Sequence, residues 1–323
     1  MAAEQRKTIA VVGTGVIGRS WTTLFLAKGH KVIVSDPAPG AKEKLDQFIQ
    51  NEWPRMQKAG VVDGADPRAY GFVEDISDHL EGVDFVQENA PERPEFKTKL
   101  IGKLDSLLPK GTIIASSSSG IPSSQFIGEC KNDRSRVLIG HPFNPPHLIP
   151  LVEVVPHPDT SSDAVERAID FYKSLGKAPV LVKKETPGFL ANRLQAAVLS
   201  EAYSLVSRGI ASAEDVDTAM STGPGLRWAL AGPYMTNVLG GGSSEVPFKH
   251  FIEHLGPAVA GWKRDMDEHS FSWNDEDVEK LTKEVKPFVD KSDTEGVRRY
   301  MGDGLIELLE LKKDKANLIQ DRF

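Results

Sequence analysis

Residues 9–18 constrain the fold of this chain most, because they join an apolar, β-branched run to the pattern Gly-x-Gly-x-x-Gly. The pattern predicts a buried strand that ends at Gly13, a tight turn, and a helix that begins near Val16. In such a turn Gly13 permits the reversal, Gly15 leaves the backbone open to a pyrophosphate, and Gly18 lets the helix pack closely on the strand. The stretch is therefore a candidate phosphate-binding turn.

The surrounding residues indicate which nucleotide would bind there. The first peptide N–H groups of the helix, at Val16 and Ile17, and its positive dipole end would face the phosphates of a dinucleotide. Residues 31–36 form a second strand pattern that ends in Asp36, 18 residues beyond Gly18. A carboxylate near this spacing accepts from the adenosine ribose hydroxyls and repels a 2′-phosphate, which favours NAD over NADP. The alternative is a glycine-rich turn in which Asp36 caps the next helix.

Composition excludes several other classes of protein. The net charge of −7 argues against nucleic acid as the main partner. A single cysteine, Cys130, excludes a disulfide framework and a cysteine metal site, and no metal site is predicted. No apolar run approaches the roughly 20 residues of a membrane span. The polar stretch 1–7 leaves no room for a targeting peptide, so we expect a cytoplasmic location and no membrane partner.

Strand and helix patterns alternate as far as residue 184 and predict an α/β fold, with a Rossmann-type doubly wound, mostly parallel sheet. A kink or break is expected at Pro54. Further strand patterns cover residues 83–86, 111–115, 137–140, 151–155 and 179–182. Helix patterns cover residues 16–28, 41–58, 94–108 and 163–175.

From Gly188 onward the sequence has helix patterns and no convincing strand. We therefore expect two domains: an NAD-binding Rossmann domain over residues 1–186 and an all-α substrate and dimerisation domain over residues 187–323. The helix patterns cover residues 188–208, 215–220, 250–254, 275–285 and 294–313. A small helical domain beside a cofactor cleft often buries its outer face in a partner, which favours a homodimer.

A histidine and a glutamate lie at two consecutive strand patterns. His141 follows the pattern 137–140 and begins His-Pro-Phe-Asn-Pro-Pro, and Glu153 lies twelve residues on, inside an apolar strand. A buried carboxylate needs a partner, and a glutamate that orients a histidine and stabilises its protonated form is typical of a general base. A structural His–Glu pair at a strand edge is the alternative. Asn144 is a candidate donor to a substrate carbonyl or a simple turn cap.

Together these motifs resemble the 3-hydroxyacyl-CoA dehydrogenase superfamily, as does the stretch Pro-Gly-Phe-Leu-Ala-Asn-Arg at residues 187–193. The resemblance implies that His141 is the base and Glu153 its partner. It also implies that the substrate and nicotinamide site is lined by Ser119, Asn144 and Asn192. Glu92 and Lys97 fall at cofactor-contacting positions of the family, although the residues alone indicate a solvated helix start.

Two branches of the superfamily are most similar. Residues 141–158 resemble the λ-crystallin/L-gulonate 3-dehydrogenase branch, and residues 87–93 and 223–230 resemble both that branch and the L-carnitine dehydrogenases. The resemblance implies an NAD-dependent enzyme that oxidises the 3-hydroxyl of a small L-3-hydroxy acid to the 3-keto acid. A second interpretation is an L-3-hydroxyacyl-CoA or carrier-bound β-hydroxyacyl dehydrogenase. A third is a non-catalytic, crystallin-like protein, or an NAD-binding sensor.

One physical argument separates the first two interpretations. Members that use acyl-CoA carry a Ser- and Lys-rich helix after the second strand, which holds the CoA phosphates. The helix here contains Asp46, Glu52 and Pro54, with Arg55 and Lys58 as the nearest cations beyond them. An acidic, proline-broken helix is a poor phosphate cradle, which favours a free hydroxy acid.

Two features of the helical domain bear on the substrate. Arg227 is a candidate partner for a substrate carboxylate, or else a surface or intersubunit arginine. The quaternary ammonium of carnitine would need aromatic faces. Three side chains offer such faces, or else belong to the core: Trp228, Tyr234 and Trp262.

Overall fold

The computed structural model describes residues 6–242 and 246–313, and these form two compact units. The first unit contains residues 6–192 together with 302–313, and the second contains the described residues between 193 and 301. The expected division into domains at residues 186–187 stays a prediction.

One eight-stranded sheet forms the centre of the first unit, in the order β3-β2-β1-β4-β5-β6-β7-β8. Every neighbouring pair is parallel except β6 and β7, which are antiparallel. This arrangement confirms the predicted fold class. The strands are β1 (Thr8–Val12), β2 (Lys31–Ser35), β3 (Tyr70–Val73), β4 (Phe85–Glu88), β5 (Ile113–Ser116), β6 (Val137–Pro142), β7 (Leu151–Pro156) and β8 (Ala178–Leu181).

Helices cover both faces of the sheet, and further helices follow the last strand in the chain. Those that alternate with the strands are α1 (Val16–Ala27), α2 (Ala41–Ala59), α3 (Pro94–Leu107) and α4 (Ser162–Ser174). The later helices are α5 (Ala191–Ser207), α6 (Ala213–Thr222), α7 (Pro224–Gly240), α8 (Pro247–Glu268), α9 (Asp275–Lys291) and α10 (Thr294–Lys313). In the part of the chain that the structure describes, no helix is long and apolar enough to cross a membrane.

The core of the first unit has two layers because alternate strand residues point to opposite faces of the sheet. Ile9 and Val11 belong to one apolar cluster, whereas Ala10 and Val12 belong to the other. Both faces are covered, so residues 9–12 of β1 are all apolar and buried, as expected for a central strand of a doubly wound sheet. This packing fixes the carboxyl ends of the strands, where the candidate site lies.

Several details differ from the sequence predictions. The strand β3 was not predicted, because Tyr70–Val73 is a four-residue edge strand that contains a glycine. The helix α7 was not predicted either, because Gly232, with φ of 71°, and the following Pro233 interrupt its pattern. Of the kink or break expected at Pro54, the break is wrong, since α2 continues to Ala59 with buried residues on both sides of the proline; a kink there stays a prediction.

The end of β6 also differs from the prediction. The strand continues through His141 to Pro142, so the histidine lies within the sheet and not just after it. The antiparallel pairing of β6 with β7 supplies the reason, because His141 lies opposite Glu153 in the ladder. The pair is thus built into the backbone register.

Candidate active site

The glycine turn after β1 has the geometry expected of a phosphate-binding loop. Gly13 has φ of 90°, and a Cβ atom there would lie 2.7 Å from the carbonyl oxygen of Asn89. A Cβ atom at Gly18 would lie 1.8 Å from the carbonyl oxygen of Gly13. At Gly15 a Cβ atom would meet nothing within 4 Å. Packing therefore requires Gly13 and Gly18, while Gly15 leaves open space beside the start of α1, where a ligand can approach.

The first turn of α1 begins with Val16 and Ile17, whose peptide N–H groups have no preceding helical carbonyl to bond. No side chain caps this end of the helix. Both residues are therefore placed as a dinucleotide site requires, and the residues of the turn fit the phosphates of NAD.

Asp36 follows β2 directly and is fixed by the glycine turn. Its Oδ2 atom accepts from the peptide N–H and the hydroxyl of Thr14, both at 2.7 Å, and its Oδ1 atom accepts from the peptide N–H of Ala38 at 2.9 Å. Burial alone would raise the pKa of Asp36, but these hydrogen bonds outweigh it and hold the pKa below its ordinary value. Asp36 is therefore an anion beside the turn and is not the N-cap of α2, which is Gly40.

Glu92 holds the serine-rich loop at residues 117–120, which follows β5. Its Oε1 atom accepts from the hydroxyl of Ser118 at 2.7 Å and from the peptide N–H of Ser119 at 2.8 Å. The carbonyl oxygen of Ser119 in turn accepts from Nδ2 of Asn192 at 2.7 Å. The structure thus brings together three predicted site residues: Glu92, expected to contact the cofactor, and Ser119 and Asn192, expected to line the substrate and nicotinamide site.

Lys97 is not part of a solvated helix start, and that interpretation from the residues alone is wrong. The side chain is 1% exposed, and its Nζ atom lies 2.9 Å from both carboxylate oxygens of Glu88. Nζ also lies 3.6 Å from the carboxylate of Glu92. Lys97 therefore supports Glu92 from inside the unit.

His141 and Glu153 form a buried hydrogen-bonded pair. Nδ1 of His141 lies 2.8 Å from Oε2 of Glu153, and the two residues are 5% and 0% exposed. The other oxygen of Glu153 accepts the peptide N–H groups of Leu190 and Ala191, at 2.7 and 2.9 Å. Glu153 thus joins the histidine to the start of α5.

This environment sets the charge of Glu153. Burial by itself would raise the pKa of Glu153, but the bonds from His141 and from the two peptide N–H groups hold it below its ordinary value. The carboxylate therefore remains ionised and accepts a hydrogen bond from Nδ1–H of His141, which leaves Nε2 without its proton when the ring is neutral. The rings of Phe143 and Phe189 lie 5.5 and 5.6 Å from the imidazole.

Asn144 lies in the loop after β6 and is exposed. Among the described residues its side chain has no hydrogen-bond partner, so the turn-cap alternative has no supporting contact. The amide is available to a ligand, and its position depends on how the loop backbone is held.

Two residues that the sequence analysis did not select hold this loop. The peptide N–H and Nδ1 of His147 lie 2.9 and 2.6 Å from Oγ of Ser20 on α1, and its Nε2 atom lies 3.3 Å from the carboxylate of Glu52 on α2. Lys177 donates to the carbonyl oxygens of Pro146 and, at 2.7 Å, Ile149. The second histidine of the motif at residues 141–147 was the only sequence signal for this anchoring.

Lys177 gives a prediction about stability. Burial and, as the smaller cause, the charge of Lys28 together lower the pKa of Lys177 from 10.5 to about 7. Between these values the unfolded chain binds more protons, so folding stability should increase with pH from about 7 towards 10.5. Lys177→Met should lose this increase, as measured by urea unfolding at pH 7, 8 and 9. The exposed Lys173→Met variant serves as the control, and equal pH slopes in wild type and Lys177→Met would contradict the prediction.

The candidate substrate residues of the second unit are exposed. Arg227 is exposed, and Trp228, Tyr234 and Trp262 are 40%, 76% and 63% exposed. The alternative that these three aromatic side chains belong to the core is therefore wrong within the described residues. Within the described residues no two of these three rings contact each other, so no aromatic cage is formed among them.

Comparison with known proteins adds two family matches. Residues 8–186 match the model of the 3-hydroxyacyl-CoA dehydrogenase NAD binding domain, and residues 188–258 match that of the 3-hydroxyacyl-CoA dehydrogenase C-terminal domain. These matches confirm NAD as the cofactor and oxidation at a CH–OH group as the reaction class.

Individual relatives extend over nearly the whole chain. A 3-hydroxyacyl-CoA dehydrogenase of Gibberella moniliformis is 49% identical over 98% of this chain and 98% of its own length. An L-carnitine dehydrogenase of Oceanobacillus iheyensis is 40% identical over 96% and 95%. The crystal structure of 5-formyl-3-hydroxy-2-methylpyridine 4-carboxylic acid 5-dehydrogenase, an NAD+-dependent dismutase, has a TM-score of 0.79 at 26% identity and covers 96% of this chain and 99% of that one.

Proposed function

Because the chain belongs to the 3-hydroxyacyl-CoA dehydrogenase family, we propose that it oxidises the 3-hydroxyl of a small L-3-hydroxy acid with His141 as the general base. The observation that carries the proposal is the pair of His141 and Glu153, buried and joined at 2.8 Å. A histidine held in one tautomer by an ionised carboxylate is the arrangement that proton abstraction from an alcohol needs.

The glycine turn at residues 13–18 and Asp36 would hold the dinucleotide. Gly13, Gly15 and Gly18 with the first turn of α1 would face its pyrophosphate, and Asp36 its adenosine ribose. When bound, NAD+ supplies the hydride acceptor. The carboxylate of Asp36 would disfavour a 2′-phosphate, so we assign the site to NAD rather than NADP.

The proton is handled by His141. Its Nδ1–H donates to Glu153, so Nε2 takes the hydroxyl proton while the carbonyl forms, and the carboxylate stabilises the imidazolium that results. In the reverse direction Nε2 returns the proton to the carbonyl oxygen. The flanking phenylalanine rings keep water from the imidazole.

Polar groups around the histidine would orient the substrate. We assign Asn144, whose amide has no partner among the described residues, to the substrate carbonyl or to the nicotinamide. Ser119 and Asn192 act as one unit, because the amide of Asn192 donates to the carbonyl oxygen of Ser119. Glu92 and, behind it, Lys97 would fix Ser119 beside the cofactor.

The substrate class rests on two opposing observations. The L-carnitine dehydrogenase relative supports a free hydroxy acid, whereas the 49% identical relative is named for a CoA thioester. The structure also weakens the argument from the acidic helix, because Asp46 pairs with Lys42 at 2.8 Å and Glu52 with Arg55 at 2.9 Å. These two carboxylates of α2 are thus paired within the helix, and the L-3-hydroxyacyl-CoA alternative remains a second candidate.

A panel of substrates tests the proposal. NADH formation would be followed with L-gulonate, L-carnitine, L-3-hydroxybutyrate and L-3-hydroxybutyryl-CoA in parallel. Turnover of a free acid with little turnover of the thioester is the expected result. Turnover of the thioester alone would refute the small-acid assignment, and silence on all four substrates with NAD still bound would favour a non-catalytic protein.

Asp36→Ala should weaken NAD binding by roughly tenfold and reduce the preference for NAD over NADP by a similar factor. The variant removes both the acceptor for the ribose and the charge that disfavours a 2′-phosphate. Titration calorimetry with NAD and NADP measures both effects. Asp78→Ala, at an exposed position, is the matched control, and an unchanged preference in Asp36→Ala would show that Asp36 does not contact the ribose.

We further propose a homodimer formed through the second unit. In the described residues of α6, α7, α8 and α9 no side chain is buried. Tyr234 and Leu239 are 76% and 71% exposed, so a second copy would cover apolar surface. Sedimentation should give twice the 35.3 kDa mass of one chain, and Leu239→Glu should shift the wild-type dimer towards monomer. A wild-type monomer at micromolar concentration would contradict this proposal.

A further inference from the structure

Arg19 carries the one charge of α1, within a helix whose other eleven residues are uncharged. Its side chain is partly buried, and the carbon of its guanidinium lies 4.6 Å from the centre of the Phe48 ring on α2. The residue follows Gly18 directly, and its peptide N–H donates to the carbonyl oxygen of Gly15. The proposed function gives this arginine no role.

The guanidinium of Arg19 has no hydrogen-bond acceptor within the described part of the chain. Its Nε atom is fully buried and has no hydrogen-bond partner, and no described carboxylate lies within ion-pair distance of the group. Arg136 offers a contrast, because its Nε atom is also unpaired but its guanidinium bonds to Asp105 at 2.9 Å. Of these two arginines only Arg19 has no carboxylate partner within the described residues, and a buried donor without an acceptor is unfavourable until a ligand supplies one.

Two acidic side chains, one on α2 and one directly after β2, are already engaged by other groups. Glu52, one turn beyond Phe48, binds Arg55 at 2.9 Å and His147 at 3.3 Å. Asp36 accepts from Thr14 and Ala38. The described residues therefore supply no acceptor for Arg19, and a ligand is the candidate partner.

The position of Arg19 indicates the chemistry of that partner. Residues four apart lie on the same face of a helix, and helical side chains lean towards the N-terminus, which directs Arg19 towards the end of α1 that holds Gly15. A guanidinium fork matches the oxygens of a phosphate. We propose that Arg19 binds a phosphate group of a ligand held at this end of α1. The inference rests on the proposed dinucleotide site. Because Arg19 lies one helical turn after Gly15, its ligand is expected to be the pyrophosphate of NAD rather than a phosphate of an acyl carrier.

Binding measurements on the intact protein test this proposal. Arg19→Gln should weaken NAD binding by roughly tenfold or more in titration calorimetry, and Arg19→Lys should recover part of the loss. Coenzyme A is titrated in parallel, and a loss of CoA affinity with unchanged NAD affinity would assign the phosphate to an acyl carrier instead. Both results support a phosphate-binding role.

Controls keep the two proposals separable. Lys44→Met removes an exposed cation from the neighbouring helix and should leave both affinities unchanged, and circular dichroism confirms that each variant is folded. NAD and CoA affinities of Arg19→Gln within twofold of wild type would overturn the proposal, even if the KM for a free hydroxy acid rose, because that result would assign Arg19 to a carboxylate. The titrations need no turnover, so a failed dehydrogenase assay would leave this result interpretable.

Discussion

His141→Gln is expected to lower kcat by a factor of roughly 10² or more while NAD binding stays near the wild-type value. Glutamine keeps a polar side chain of similar reach opposite Glu153 but cannot take a proton from an alcohol. The dinucleotide residues lie on β1, α1 and β2, away from β6 in the strand order, so the cofactor affinity should not follow the loss of kcat. Steady-state kinetics on the best substrate of the panel, combined with calorimetric titration of NAD, measures the two quantities separately.

The control for this variant is another histidine. His79 is exposed and lies on a short helical turn between β3 and β4, so His79→Gln should keep the wild-type kcat. Near-normal turnover in His141→Gln would remove His141 from the mechanism and would leave its bond to Glu153 with a structural role only. A parallel loss of NAD affinity would indicate that the substitution disturbs the sheet.

The sequence predicts the geometry of the glycine turn well because its determinants are local. The turn at residues 13–18 needs glycines for reasons of backbone geometry alone, and the structure shows the close approaches that exclude a Cβ atom at Gly13 and Gly18. The pairing of His141 with Glu153 can also be predicted from the sequence, because an acid in an apolar strand requires a partner and the adjacent strand supplies one.

Other features depend on contacts between distant parts of the chain. From the sequence alone Lys97 is expected to be solvated. Only the structure shows that it is buried and paired with Glu88 on β4. His147 bonds to Ser20 and Glu52, which are 127 and 95 positions away, and no local pattern encodes such pairs. The continuation of α2 through Pro54 has the same origin, since burial of Ile49 and Met56 on either side stabilises the helix despite the proline.

The same distinction explains why the substrate is harder to assign than the reaction. The sequence analysis treats Asp46 and Glu52 of α2 as free charges, but the structure pairs them with Lys42 and Arg55 on the same helix. A count of charges in a sequence does not reveal which are matched. The chemistry, in contrast, depends on one histidine and one carboxylate whose register in β6 and β7 is fixed.

Glu153→Gln should cause a loss of kcat comparable to that of His141→Gln, roughly 10² or more, although it changes no atom of the base. In the native chain one oxygen of Glu153 accepts two peptide N–H groups and the other lies against Nδ1 of His141. All three partners are donors. A glutamine has one acceptor and one donor end, so one side of the amide must face a donor whichever way it is turned.

Either orientation of that glutamine is unfavourable. If the NH2 group faces the peptide N–H groups of Leu190 and Ala191, the start of α5 loses its acceptor. If it faces His141, Nδ1 must become the acceptor and the proton moves to Nε2, which can then no longer accept one from the substrate. The variant should therefore lose turnover while its affinity for NAD is kept.

Glu153→Asp separates the two roles of the carboxylate, because it keeps the charge and shortens the side chain. We expect kcat of this variant to lie between those of wild type and Glu153→Gln, and the acid limb of the pH–rate profile to move to lower pH in Glu153→Gln, where no anion stabilises the imidazolium. A merely structural role would change the unfolding midpoint in urea and leave the pH profile of the folded enzyme in place. Wild-type kcat in a folded Glu153→Gln variant would contradict the assignment of Glu153 as the residue that sets the tautomer of His141.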